Sequence, residues 1–238
     1  MWSGPRNIST AMMRSWGNRA DTAVSDEPFY AYYLERTGKK HPGAAEIIAN
    51  GETGWRKVVA HLTQEPVRTG KRIFFQKQMT HHLLPEIDVE WIVDLTNCFL
   101  IRDPHEVILS YIKKNPNPAL EDLGFVQQCE IFDFVREKVG TPPLPIVVDA
   151  KDVLQNPERT LRLLCEAIGV EFDIAMLSWP TGLRETDGIW AKYWYDEVAR
   201  STSFQPYKRK EGDVPDDLRE IYERCRECYD RLHEHRLH

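Results

Sequence analysis

The sequence predicts an α/β fold, one parallel sheet covered by helices on both faces. Short apolar runs near residues 22–25, 72–76, 96–101 and 144–148 are each followed by a turn and a segment of helical period. The run Thr96-Asn97-Cys98-Phe99-Leu100-Ile101 ends in four consecutive apolar residues rather than alternating, which suits a strand buried on both faces. The 238 residues, 42% hydrophobic and 29% charged, contain no break in composition, so a single domain over 1–238 is expected.

The chain opens on Trp2-Ser3-Gly4-Pro5-Arg6-Asn7-Ile8-Ser9-Thr10, a Gly/Pro turn leading into a helix over 9–19 that offers Ala11, Met12, Met13 and Trp16 for burial. Such a turn can cradle an oxyanion. The N–H groups of a helix N-terminus point at the anion, Arg6 adds charge-assisted hydrogen bonds, and Ser9 and Thr10 supply hydroxyls. The same residues also read as an ordinary capped helix, with Ser9 or Thr10 as the cap. Only Met1 and Trp2 precede the turn, so the first strand is expected to be short or missing.

After the strand at 22–25 comes the acidic turn Asp26-Glu27-Pro28. Positions 26–69 then read as an insertion forming a substrate wall or lid, with an aromatic cluster of Phe29, Tyr30, Tyr32 and Tyr33 and a helix over 54–62. Lys71 to Lys77 is the next strand, and His81 and His82 follow its carboxyl end, where open parallel sheets place their chemistry. A neutral histidine there can take a proton from a hydroxyl; a packing role for at least one of the pair is the plainer alternative. No third ligand clusters with them, so no metal site is expected.

Arg102-Asp103-Pro104 ends the buried strand and starts a helix over 105–113, with Pro104 in the first turn and Asp103 as its cap. Arg102 and Ser110 then face one pocket, or Arg102 and Asp103 form a local ion pair. Further on, 125–138 and 158–168 are helices flanking the strand at 144–148, and Trp190 to Val198 reads as one aromatic helix. The run Lys208-Arg209-Lys210 either closes over a phosphate or is a solvated face. A terminal helix runs from Pro215 to about His233, with His233, His235 and His238 expected in solvent. Cys225-x-x-Cys228 lies in its charged pattern with no second pair, and reads as a surface feature. The five cysteines suggest no disulfide framework.

A formal charge of −6 argues against a nucleic-acid binder. With no run of eighteen apolar residues and no signal-peptide pattern, the chain reads as cytoplasmic, without membrane association. Oligomeric state is not legible.

Three of these segments, in this order and spacing, resemble the PAPS-dependent sulfotransferase superfamily, a three-layer P-loop-like fold, and most closely its small bacterial members. Pro5-Arg6-Asn7-Ile8-Ser9-Thr10 is similar to the family's loop for the 5′-phosphosulfate of 3′-phosphoadenylyl sulfate (PAPS). Arg102-Asp103-Pro104 with Ser110 is similar to its 3′-phosphate motif, and the segment from Lys77 to His81-His82 to the piece bearing its catalytic histidine. The resemblance implies sulfonate transfer from PAPS to a hydroxyl or amine of a small-molecule acceptor, releasing 3′-phosphoadenosine 5′-phosphate (PAP), with no metal.

By the same resemblance, Arg6 stands where the family has a lysine and would neutralise charge on the bridging oxygen and the sulfonate. Asn7, Ile8, Ser9 and Thr10 would wrap the 5′-phosphate, Arg102 and Ser110 would hold the 3′-phosphate, and Arg209 or Lys210 would reach it from the loop ending at Gly212. His82, or His81 in a shifted register, would be the base. Ile8 replaces a family glycine, so the turn must avoid positive φ there or follow another path. Two other classes stay open. A phosphotransferase would want a G-x-x-x-x-G-K-[ST] loop, which is absent, and a magnesium carboxylate; a nucleotide-binding protein would keep the fold without turnover.

Overall fold

The computed structural model describes residues 1–64, 70–140 and 145–238. Five strands, β1 (Trp2–Ser3), β2 (Thr22–Asp26), β3 (Ile73–Met79), β4 (Cys98–Ile101) and β5 (Ile146–Asp149), form one sheet in the order β2-β3-β1-β4-β5, and every pairing is parallel. The short first strand is present and central. Trp2 pairs with Gln78 and Phe99, and Ser3 with Met79 and Leu100.

Side chains stabilise a strand of only two residues. The Trp2 indole donates to Asn97 Oδ1 at 2.7 Å, and the buried Gln128 amide donates to the carbonyls of Trp2 and Leu100 at 3.1 and 3.0 Å. The Gln128 bonds tie the β1 and β4 backbones to one buried amide, so buried carbonyls of both strands have a side-chain donor.

Helix α1 (Ser9–Gly17) joins β1 to β2, and α2 (Tyr30–Thr37), α3 (Ala44–Asn50) and α4 (Trp55–Thr63) lie between β2 and β3. The segment expected as an insertion thus carries three helices within its described residues; its last positions, 65–69, lie outside them. After β4 come α5 (Pro104–Tyr111), α6 (Leu120–Leu123) and α7 (Phe125–Val139). After β5 come α8 (Ala150–Gln155) and α9 (Pro157–Ala167). The expected aromatic helix is broken at Tyr195 into α10 (Ala191–Trp194) and α11 (Asp196–Ala199), and α12 (Arg219–His233) closes the fold.

Alternation along the strands divides the core. Phe99, Ile101 and Val147 pack with residues of α4, α7 and α12, whereas Cys98, Leu100 and Val148 pack with Met12, Met13 and Trp16 of α1 and Leu161 and Leu164 of α9. Both faces are covered, as parallel sheets require.

Several expectations shift. Leu144 of the expected strand lies outside the described residues, and β5 occupies 146–149. β3 runs two residues past Lys77, so the histidines begin immediately at its end, in a 3-10 turn over Thr80–His82. His235 stacks on Phe132 at 5.3 Å and His233 lies half-buried against Tyr229, so only His238 is exposed; Leu237 N–H donates to Val147 O, drawing the terminal segment onto β5. Cys225 is fully buried, not at the surface.

Connections from β1 lead to one side of the sheet, and β4 lies on the other. The crevice outside the carboxyl ends of β1 and β4 is therefore the switch point where open α/β sheets bind ligands.

Candidate active site

The turn from Ser3 to Ile8 sits at this switch point, held by close packing. A Cβ on Gly4 would come within 2.6 Å of Leu123 O, and one on Gly124 within 2.5 Å of Thr80 Oγ1, whose hydroxyl donates to Gly124 O at 2.8 Å. Neither the cradle nor the segment beneath it has room for a side chain there. The left-handed residue is Arg6, with φ of +55°, and Ile8 has φ of −88°. The backbone thus takes a different path from a glycine turn at Ile8, at a cost of about 1 kcal/mol for a non-glycine residue in this region.

Asn7 fixes the loop's exit: its Nδ2 donates to Leu100 O at 2.9 Å and its Oδ1 accepts from Ile8 N–H at 2.8 Å. Ile8 occupies the cap position of α1 and no side chain caps that end, so neither Ser9 nor Thr10 acts as the cap. The first-turn N–H groups and the helix dipole, with the hydroxyls of Ser9 and Thr10 in that turn, make a helix end whose chemistry suits an anion.

The 3′-phosphate candidates meet the same loop. Arg102 Nη1 donates to Arg6 O at 2.9 Å, and Arg6 Nε donates to Ser110 Oγ at 3.0 Å. These two bonds join residues of the first loop, the end of β4 and α5 into one constellation. Arg102 pairs with Glu106 through Nε at 3.0 Å, and Asp103 caps α5 through His105 N–H and pairs with Arg226, so the local Arg102–Asp103 pair does not form. In this structure the Arg6 guanidinium reaches Ser110.

The basic loop lies over α5. The Tyr207 hydroxyl donates to Glu106 Oε1 at 2.7 Å, and His105 Nε2 donates to Gly212 O at 2.7 Å, one tie on each side of Lys208-Arg209-Lys210. Burial together with the nearby charges of Arg102 and Lys113 holds the Lys210 ammonium below its ordinary pKa. Like charges gathered this closely fit an anion-binding role. Arg209, with Arg102, Tyr207 and Lys151, lines a cavity of about 440 Å³ between α5, α8 and α12.

His81 and His82 occupy the mouth of β3 but are deeply packed. The His82 ring lies against Tyr30 at 4.8 Å and 3° and against Tyr33 at 4.6 Å and 28°, and His81 meets Tyr33 edge-on at 5.4 Å. Nδ1 of each is buried without a hydrogen-bond partner. Burial, reinforced by His41, brings the His81 pKa down to about 3; burial and His81 hold His82 well below the ordinary value. Both rings are neutral near pH 7.

A stability consequence follows. The unfolded chain takes up these protons from about pH 6.5 downward and the folded chain resists them, so stability falls as the pH drops towards 3. We expect His81→Gln to flatten the acid limb of the stability profile, by about 3 kcal/mol near pH 4, in denaturant titrations across pH.

A neighbouring cluster is less legible from sequence. The buried Lys77 ammonium donates to Asp26 Oδ1 at 3.0 Å, to Glu27 Oε1 and to the Tyr195 hydroxyl at 2.6 Å; Tyr195 in turn donates to Asp26 at 2.8 Å, as does Gly188 N–H at 3.0 Å. Burial alone would lower the Lys77 pKa, but Asp26 and Glu27 override it and hold it well above the ordinary value. Burial raises Glu27, partly offset by Lys77, and Glu27 has φ of +40°. The signal was a lysine inside a strand and an Asp-Glu-Pro turn at the end of the neighbouring one.

The chain matches the model of a sulfotransferase domain over residues 1–229. It belongs to this sulfotransferase family. Two curated relatives from Arabidopsis thaliana, branched-chain-amino-acid aminotransferase-like proteins 2 and 1, are 32% and 33% identical over 237 residues. The matches take in the whole of this sulfotransferase-family chain but only 41% and 42% of those proteins. In three dimensions it is similar to the sulfotransferase domain of the Synechococcus PCC 7002 olefin synthase, with a TM-score of 0.61 at 16% identity, covering 96% of this chain and 92% of that one. That likeness extends the fold assignment across nearly the whole chain. Among the described residues, no group of three or more His, Cys, Asp or Glu side chains is arranged to hold a metal, and no helix is long and apolar enough to cross a membrane.

Proposed function

We propose that the protein transfers the sulfonate of PAPS to a hydroxyl or amine of a small-molecule acceptor, releasing PAP. The observation that carries this reading is the joining of the uncapped α1 N-terminus to Ser110 and Arg102 through Arg6. The residues fit a nucleotide with anions at both ends: a helix terminus with two hydroxyls for the 5′ end, and Arg102, Ser110 and Lys210 for the 3′-phosphate. The donor supplies an activated sulfonate.

Asn7, Ile8, Ser9 and Thr10 hold the 5′-phosphate, and Arg6 turns from Ser110 towards the bridging oxygen, where charge develops. Arg102, Ser110 and Lys210 select for the 3′-phosphate, with Arg209 at the rim. His82 takes the acceptor proton, with His81 as its packing partner. The aromatic residues of α2 and Trp190, which meets Tyr30 edge-on at 5.2 Å, form the acceptor wall. A second reading of the base is Glu27, favoured by its strained backbone at the mouth of β2 and its raised pKa.

The test is calorimetric titration with PAP and adenosine 5′-phosphate, followed by assay of labelled sulfonate transfer from PAPS across phenols, alcohols and amines with a chelator present. Tighter binding of PAP and chelator-resistant transfer are expected. PAP binding without transfer to any acceptor would leave a nucleotide-binding protein, and magnesium-dependent ATP turnover would point to a phosphotransferase.

A further inference from the structure

Cys228 lies on α12, half-buried, and its neighbour across the helix interface is Cys129 of α7. Cys129 Sγ is 3.5 Å from Cys228 O. Cys225, which shares the Cys-x-x-Cys spacing with Cys228, is fully buried in the core, three residues away along the same helix. We propose that Cys228 and Cys129 form a reversible disulfide when the protein meets a peroxide, with Cys228 as the reactive thiol and Cys129 as the resolving one.

Three features of the surroundings support this. The Cys129 thiol donates to the Cys228 carbonyl, and the closeness of the two thiols, with Arg231 and Arg224 nearby, brings the Cys228 pKa down to about 7; Cys129 is held up by the same closeness and by burial. A thiol ionised near neutrality, partly accessible and beside a second thiol, has the setting of a peroxide-sensitive cysteine. The other cysteines differ: Cys98, Cys165 and Cys225 are buried, with pKa values raised by burial.

In the reaction the Cys228 thiolate attacks a peroxide oxygen. An S–O bond forms, the O–O bond breaks, and the departing hydroxide takes a proton to leave as water. Cys129, giving up its proton, then attacks the sulfenic sulfur; the S–S bond forms, the S–O bond breaks, and a second water leaves. Two thiols are oxidised and one peroxide is reduced.

The consequence reaches the nucleotide pocket. Gln128, the neighbour of Cys129, ties α7 to β1 and β4, whereas α12 holds Asp103 through Arg226 and Asp149 through Tyr229. A disulfide would fix these two helices against each other.

The test is treatment of the full chain with stoichiometric hydrogen peroxide, alkylation of the remaining thiols, and non-reducing peptide mapping. A Cys129–Cys228 linked peptide is expected, with a melting temperature raised by several degrees and restored by dithiothreitol. Cys228→Ser should abolish the link, Cys225→Ser should leave it intact, and Cys129→Ser should instead accumulate a dimedone-reactive sulfenic acid at Cys228. A link through Cys225, links only between chains, or oxidation of Cys228 no faster than of Cys98 would overturn the proposal.

Discussion

Replacing Arg102 with alanine is expected to weaken PAP binding about 100-fold or more, while binding of adenosine 5′-phosphate changes little. The size of the loss comes from Glu106. Arg102 lies against that carboxylate through Nε at 3.0 Å and Nη2 at 2.9 Å, and the Glu106 side chain is only 6% exposed. Without the guanidinium, a buried carboxylate stands beside the position of an incoming phosphate, so repulsion adds to the lost hydrogen bonds. Together these amount to about 3 kcal/mol or more, which is the 100-fold loss. The double variant Arg102→Ala/Glu106→Gln removes the repulsion and should recover part of the affinity. Calorimetry with both nucleotides checks each step. Equal losses for PAP and adenosine 5′-phosphate would mean that Arg102 acts by bracing the first loop through Arg6 O, not by holding the 3′-phosphate.

Much of this architecture was legible because local signals agreed with the tertiary structure. The apolar run at 96–101 can be buried only between two helical layers, and Asp103-Pro104 caps and starts a helix whatever surrounds it. The conformation of the first loop was less legible. The sequence located the turn, but placing positive φ at Arg6 rather than Ile8 depends on packing of Gly4 against Leu123 O, a contact across more than a hundred residues. The uncapped end of α1 was hidden in the same way, because Ser9 and Thr10 are good caps by composition and become first-turn residues only once Asn7 is anchored to Leu100.

Contacts among distant segments account for what was missed. Lys77 looked like the end of a strand, yet its charge is neutralised by Asp26 and Glu27 of the preceding segment and its ammonium reaches Tyr195, 118 positions away. A buried lysine of this kind is unstable without such partners, and no local pattern names them. The break between α10 and α11 falls at Tyr195, where the hydroxyl is drawn to Asp26 instead of continuing an aromatic stripe. Cys228 likewise found its neighbour on another helix, not in its own Cys-x-x-Cys spacing.

The second large effect expected is on turnover. His82→Phe keeps a flat ring between Tyr30 and Tyr33, and so preserves the stacking, while removing both nitrogens. If His82 takes the acceptor proton, kcat should fall by about 10²- to 10⁴-fold with the Kd for PAP nearly unchanged, because His82 packs against Tyr30 and Tyr33 and has no part in the Arg6–Ser110 and Arg102–Arg6 hydrogen bonds. The depressed pKa gives the wild-type protein a distinct signature. Burial and the neighbouring His81 keep His82 unprotonated well below the ordinary histidine range, so the acid limb of kcat/KM should lie below that range. Glu27→Gln separates the two readings of the base. A fall in kcat with Glu27→Gln, together with retained turnover in His82→Phe, would move the proton transfer to the mouth of β2. Because Glu27 is held by Lys77, that variant also leaves a buried ammonium with one carboxylate fewer, so its thermal stability has to be measured alongside its rate. A rate loss that tracks the loss of folded protein would place Glu27 in the support of Lys77 and Tyr195 rather than in the proton transfer.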